Sequence, residues 1–150
     1  MKRILIVVVA FFAAYFFFSY QHSPTLNPEP SSTSPQSSVN TDAVITTAFS
    51  NHTSHLQVSG QGIVIKLLPD DNRGSRHQKF LLKLANGLTL LVAHNIDLAP
   101  RINSLREGDT IEFYGEYEWN ERGGVLHWTH RDPHRQHVAG WLLHQGQRYQ

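Results

Sequence analysis

Histidine is the residue type through which this chain could act chemically. The sequence holds ten, and five of them (His127, His130, His134, His137 and His144) crowd toward its end. With His77, His94, Asp97, Glu118 and Asp132 they offer the nitrogen and oxygen donors that zinc, copper or iron sites use. The residues on which a metal could settle are His77, His94, His127, His130, Asp132 and His137, with zinc the expected ion. A broader ligand-binding set is His77, Lys79, His94, Asp97, Glu118, His127, His130, Asp132 and Trp141. Spacing limits the metal reading. His127 and His130 would share one side of a helix but opposite faces of a strand, and the Gly123-Gly124 turn with its β-type flanks predicts strand. The pair could share an ion only if the strand stopped at Thr129. Pro133 favours such a stop, because it biases Asp132 toward extended or turn geometry. The competing expectation is that the imidazoles are hydrogen-bonded surface and strand-end groups. Glu118 opposite His127 is then a cross-strand pair worth about 0.2–1 kcal/mol.

Acid–base chemistry is open to Glu116, Glu118, His127 and Asp132. The alternative function is a metal-dependent hydrolase of a phosphodiester or related substrate that uses the histidines with Glu118, Asp97 and Asp132. Nucleophilic catalysis has little to stand on. The chain has no cysteine, and neither Ser59 nor Ser75 sits in a nucleophile elbow. Gly60-Gln61-Gly62 lacks the third glycine and following helix of a phosphate-binding loop. The formal net charge is +1, which argues against nucleic acid as a partner.

These side chains need strands to position them. Leu56 to Leu68 mixes β-branched residues with two glycines, the mark of a strand bent to serve two sides of a small barrel. Asn86-Gly87 between two β-rich runs predicts a hairpin with a two-residue loop. That loop pairs Ala85 with Leu88, Leu81 with Val92 and Lys79 with His94. Phe80, Leu82, Leu84, Leu91 and Ala93 then face the core, and His77 and His94 become diagonal neighbours on the other face. Arg101 to Arg106 is long enough for one or two helical turns. From Thr110 the pattern alternates, with Ile111, Phe113, Tyr117 and Trp119 inward and Glu112, Glu116 and Glu118 outward. A turn over Glu121 to Gly124 would set Glu118 against His127 and Tyr117 against Trp128, with both Trp119 and Trp128 inward. Ala43 to His55 could form a short helix, and the tail around Trp141 a strand or helix covering one end. The expected fold is mainly β, a small five-stranded OB-like barrel over residues 43–150.

Ahead of the domain, Lys2-Arg3 precedes an apolar run from Ile4 to Tyr20. At about 1.5 Å per residue it spans roughly 25 Å, the short end of a transmembrane helix. Residues 1–21 are therefore expected to be a signal anchor, with a cleaved signal peptide as the competitor. Residues 22–42, rich in Pro, Ser and Thr, bury too little to order themselves and read as a disordered linker. The basic start predicts a cytoplasmic N-terminus and an inner-membrane, single-pass protein with its domain in the periplasm.

His94-Asn95-Ile96-Asp97, Gly115 to Asn120, His127 to Pro133 and Gly140-Trp141 resemble a family of small bacterial envelope proteins known as domain of unknown function 3465. The resemblance runs from about Val58 to Tyr149. It implies one compact domain behind a membrane or export segment, and no reaction or site. The expectation is a tethered binding module for an envelope oligosaccharide, peptide or protein.

Overall fold

The computed structural model describes residues 36–150, within the compact unit Ser34–Gln150. The expected anchor, residues 1–21, and most of the linker lie outside the described residues. No helix among the described residues is long and apolar enough to cross a membrane.

The order is helix α1 (Gln36–Ser50) and strands β1 (Leu56–Asp71), β2 (His77–Lys83), β3 (Thr89–Asn95), β4 (Thr110–Glu118), β5 (Val125–His127), β6 (Trp141–His144) and β7 (Gln147–Tyr149). The protein is mainly β, a seven-stranded mixed sheet in the order β1-β2-β3-β5-β4-β6-β7. β1 also pairs with β4, so five strands close on themselves in a ring. β3 and β5 run parallel; the other pairings are antiparallel.

β1 makes the closure possible. Its first half, Leu56 to Ile63, pairs with β4, and its second half pairs with β2, with the register shifting between Val64 and Lys66. A bulge bends a strand and adds twist. At the bend sits Gly62, where an added Cβ would lie 2.7 Å from the Lys83 carbonyl oxygen and 2.8 Å from Leu82 Cγ. Only a residue without a side chain lets β2 pass that close. The ring interior is filled by Val58, Val64, Phe80, Leu82, Leu90, Val92, Ile111, Phe113, Tyr117 and Leu126, all buried. Ile45 and Ala48 of α1 join this core. The helix docks on the β2–β3 turn through Asn86, whose side-chain amide donates to the Asp42 carbonyl at 3.1 Å and to Thr46 Oγ1 at 2.7 Å.

That turn corrects the expected hairpin. Leu84 N–H donates to the Leu88 carbonyl and Gly87 N–H to the Leu84 carbonyl, enclosing Ala85, Asn86 and Gly87 in the loop, with Gly87 left-handed at φ 90°. One extra loop residue shifts the register by one, so Phe80 meets Val92 and Gln78 meets His94. A one-residue slip exchanges the faces of a strand. Leu90, Val92 and His94 therefore point inward, and Leu91 and Ala93 do not.

The β4–β5 connection is also longer than a four-residue turn. Glu116 faces His127, Tyr117 faces Leu126 and Glu118 faces Val125. The two-residue offset preserves parity, so Glu116, Glu118 and His127 still share the outer face. Arg101 to Arg106 forms turns and no helix, because Gln78 on β2 takes both backbone groups of Ile102. Its amide donates to the Ile102 carbonyl and its carbonyl accepts the Ile102 N–H, each at 2.9 Å. The tail adds β6 and β7 to the edge of β4.

Candidate functional site

The outer face of β4 gathers the groups with the most chemical potential. Adjacent strands place Gln57, Glu116 and His127 in one row, since Gln57 pairs with Glu116 and Glu116 with His127. One step along, the β1–β4 register sets Leu56 against Tyr117, so His55 arrives beside Glu118. Its Nδ1 lies 2.6 Å from Glu118 Oε1 and 3.3 Å from Glu116 Oε1. His55 has a left-handed backbone, φ 60°, which a β-carbon disfavours. His127 Nε2 lies 3.5 Å from Glu116 Oε1 and 3.8 Å from Glu118 Oε1. That nitrogen is buried and has no hydrogen-bond partner.

Between β5 and β6 the chain leaves the sheet and returns. Gly140 N–H donates to the His130 carbonyl at 2.9 Å and closes the excursion. Asp132 shapes it by accepting the backbone N–H groups of His134, Gln136 and His137 at 2.7–3.0 Å. The result carries His137 back over β4, where its Nε2 lies 2.6 Å from Glu116 Oε2. Its other nitrogen, Nδ1, lies 2.9 Å from the Val138 carbonyl oxygen. Trp128 stacks flat on this imidazole, centroids 4.0 Å apart and planes at 8°. Trp128 was expected inward; its left-handed φ of 52° ends the strand geometry and turns the indole outside, while Trp119 packs against the core as expected.

Electrostatics follow from this arrangement. Burial pushes the Glu116 carboxyl up, but hydrogen bonds from His137 and His55 outweigh it and hold it below the usual range. Burial also acts against charge on His137, yet Glu116 and the Val138 carbonyl keep its pKa above the ordinary imidazole value. His127 goes the other way: burial lowers it, and Glu116 and Glu118 only partly compensate. The face therefore favours charge on the Glu116–His137 pair and disfavours it on His127 beside them.

A comparison with protein-family models matches residues 30–150 to a family described as a protein of unknown function (DUF3465). The chain belongs to the DUF3465 family. No curated protein matches it.

Other predicted site residues of this DUF3465 chain are engaged elsewhere. Of the six metal candidates, His127 and His137 meet at Glu116, whereas His77, His94, His130 and Asp132 make separate commitments. His94 is fully buried; the Thr129 hydroxyl bonds its Nδ1 at 2.8 Å and the Pro100 carbonyl its Nε2 at 3.2 Å. Burial pushes its pKa down to about 4. His77 bonds the Ser75 carbonyl, Lys79 pairs with Asp71, and His130 bonds the Arg131 carbonyl through Nδ1. Asp97 pairs with Arg76. Trp141 lies under the Arg148 guanidinium at 4.4 Å. His77 and His94 are thus not neighbours on one outer face, because the loop-length change turns His94 inward. Sequence reasoning left His55 and Glu116 out of the binding set. The alternation of β4 already placed Glu116 beside Glu118, but nothing local announces that β1 pairs with β4 and delivers His55.

Proposed function

We propose that this chain is a membrane-tethered, extracytoplasmic binding module built on an OB-like barrel. Its ligand is an envelope oligosaccharide, peptide or protein. The ring order β1-β2-β3-β5-β4 with a bulged, shared first strand supports the OB-like reading. Lys2-Arg3 ahead of the Ile4–Tyr20 run supports the tether and a periplasmic domain. OB barrels usually bind across the second and third strands. Here Lys79 and Asp97 on that side are satisfied by Asp71 and Arg76, and the face of β4 and β5 is the better surface.

The observation that carries this assignment is the stack of Trp128 on His137 beside Glu116 and Glu118. With one face against His137, the half-buried Trp128 indole has its remaining surface to offer to the apolar side of a sugar ring or an apolar side chain. Carboxylates next to it accept hydrogen bonds from hydroxyl or ammonium groups.

Cosedimentation of the full-length chain with purified cell-wall sacculi tests the proposal. Trp128→Ala is expected to weaken retention at least tenfold, and Lys79→Ala to leave it unchanged. The opposite ranking would move the ligand to the β2–β3 side, and no retention of the parent would remove cell-wall polymers as the ligand. A reporter joined after Gln150 is expected to be active only in an extracytoplasmic compartment.

A further inference from the structure

We propose that His55, Glu116, Glu118 and His127 form a binding site for one divalent transition-metal ion of the zinc class, with His137 orienting Glu116. The proposal rests on the assignment of this cluster as the module's binding surface and adds an ion that the surface holds beside its envelope ligand.

The donor types come first. Two imidazoles and two carboxylates are a set that zinc and its neighbours in the first transition row accept, and that magnesium and calcium, which prefer all-oxygen shells, do not favour. Distances agree. Ligand atoms bound at 2.0–2.1 Å to a tetrahedral ion stand about 3.3–3.4 Å from one another. Glu116 Oε1 lies 3.3 Å from His55 Nδ1 and 3.5 Å from His127 Nε2, and Glu118 Oε1 lies 3.8 Å from His127 Nε2. Donor atoms of His55, Glu116 and Glu118 all lie within 4.8 Å of one another, a group that does not take in His127. The His55 ring therefore has to swing toward His127 for all four to share one ion. His55 Nδ1 hydrogen-bonds Glu116 Oε1, and an ion would replace the proton there; its 2.6 Å ion-pair contact with Glu118 Oε1 is the shortest of the set. It has to lengthen by about 0.7 Å to reach the tetrahedral edge. His55 can supply that movement, since its side chain is 80% exposed while that of Glu116 is 13% exposed.

His127 supplies the independent observation. A buried ring nitrogen without a hydrogen-bond partner is costly, and this one faces two carboxylate oxygens beyond hydrogen-bond geometry. Whichever tautomer the ring adopts, no hydrogen bond to either carboxylate satisfies this nitrogen. An ion at that point satisfies the nitrogen and both anions together.

His137 has a different part. Its Nε2 faces a carboxylate and its Nδ1 a carbonyl, and both of those oxygens only accept, so both nitrogens carry protons and neither is free to ligate. It holds Oε2 of Glu116 and thereby presents Oε1 to the ion, the kind of support that typically affects metal affinity by about 10–100-fold. Trp128 covers the imidazolium on its far side.

The experiment is a calorimetric titration of the full-length, chelator-stripped chain with Zn2+, paralleled by Co2+ followed through its visible absorption. One equivalent per chain and an intense four-coordinate cobalt spectrum are expected. Glu118→Gln and His127→Gln should each weaken binding at least 100-fold, and His137→Gln about 10–100-fold with unchanged stoichiometry. His77→Gln and His134→Gln, away from the cluster, should bind as the parent does. Absence of a one-equivalent site overturns the proposal, as does parental affinity in Glu118→Gln or His127→Gln with a parental circular dichroism spectrum. If His127→Gln does not fold, Glu118→Gln, on a surface-facing side chain, decides alone. Sacculus retention separates the two proposals. A stripped chain that takes up no zinc yet still pellets through Trp128 refutes the ion site and leaves the module standing. One that binds zinc as described without pelleting upholds the ion site and refutes the cell-wall ligand.

Discussion

At the scale of single residues, the histidines divide by what surrounds their nitrogens. His94 is a packed core group: both nitrogens are occupied and the ring is fully buried. Thr129 is equally buried and exists, in this arrangement, to donate its hydroxyl proton to His94 Nδ1. Thr129→Val keeps the shape and removes that donor, leaving a buried nitrogen unpaired. A loss of about 1–3 kcal/mol is expected, read as a lower urea midpoint at an unchanged slope. His127 is the opposite case, a buried nitrogen with no partner already, and for that reason its removal should cost little stability. A large loss in His127→Gln would mean that the ring is held by contacts other than those of its Nε2.

Among the elements, the excursion between β5 and β6 matters most, because it alone carries His137 to the face of β4. It is pinned where Gly140 crosses the sheet. A Cβ there would run into the Trp128 carbonyl oxygen and lie 2.5 Å from the Tyr114 carbonyl oxygen, and backbone on both sides cannot step aside. Gly140→Ala is expected to cost about 1–3 kcal/mol or more, as overpacked sites do, and to displace the stack of Trp128 on His137. Val138→Ala, in the same excursion and 54% exposed, serves as the comparison. The check is paired thermal melts with tryptophan fluorescence. Equal melts for the two variants would show that the crossing has room the geometry does not indicate.

For the molecule as a whole, pH is the variable that joins core and surface. His94 has a folded pKa of about 4 against an ordinary value of 6.5. Between those values the unfolded chain binds a proton that the folded one refuses, so its contribution is complete above about 6.5 and declines as pH falls toward 4. The full decline is on the order of 3 kcal/mol. The Glu116–His137 pair adds two opposed edges. The raised His137 stabilises below its unfolded value and loses this as pH rises through its folded value. The depressed Glu116 stabilises above its unfolded value and loses this as pH falls through its folded value. Urea midpoints measured from pH 7.5 to pH 4 should therefore fall across the lower part of the range. In Glu116→Gln the fall should persist, since His94 dominates it, and a flat profile in the parent would contradict the buried, neutral His94.

Much of the architecture is legible in local pattern. Alternation from Ile111 to Trp119 assigns the faces of β4 correctly, and the glycines of β1 announce a strand that bends. The family assignment over residues 30–150 agrees with the resemblance carried by the motifs around His94, Gly115, His127 and Gly140. Registers were less accessible, because a strand's face depends on the parity of a loop. Asn86-Gly87 permits two loop lengths, and docking of Asn86 on α1 accompanies the longer one. That single residue reversed β3 and buried His94. The meeting of His55 with Glu116 and Glu118 depends on pairing between strands some fifty residues apart, a contact stabilised by closure of the ring and by no neighbour in the chain.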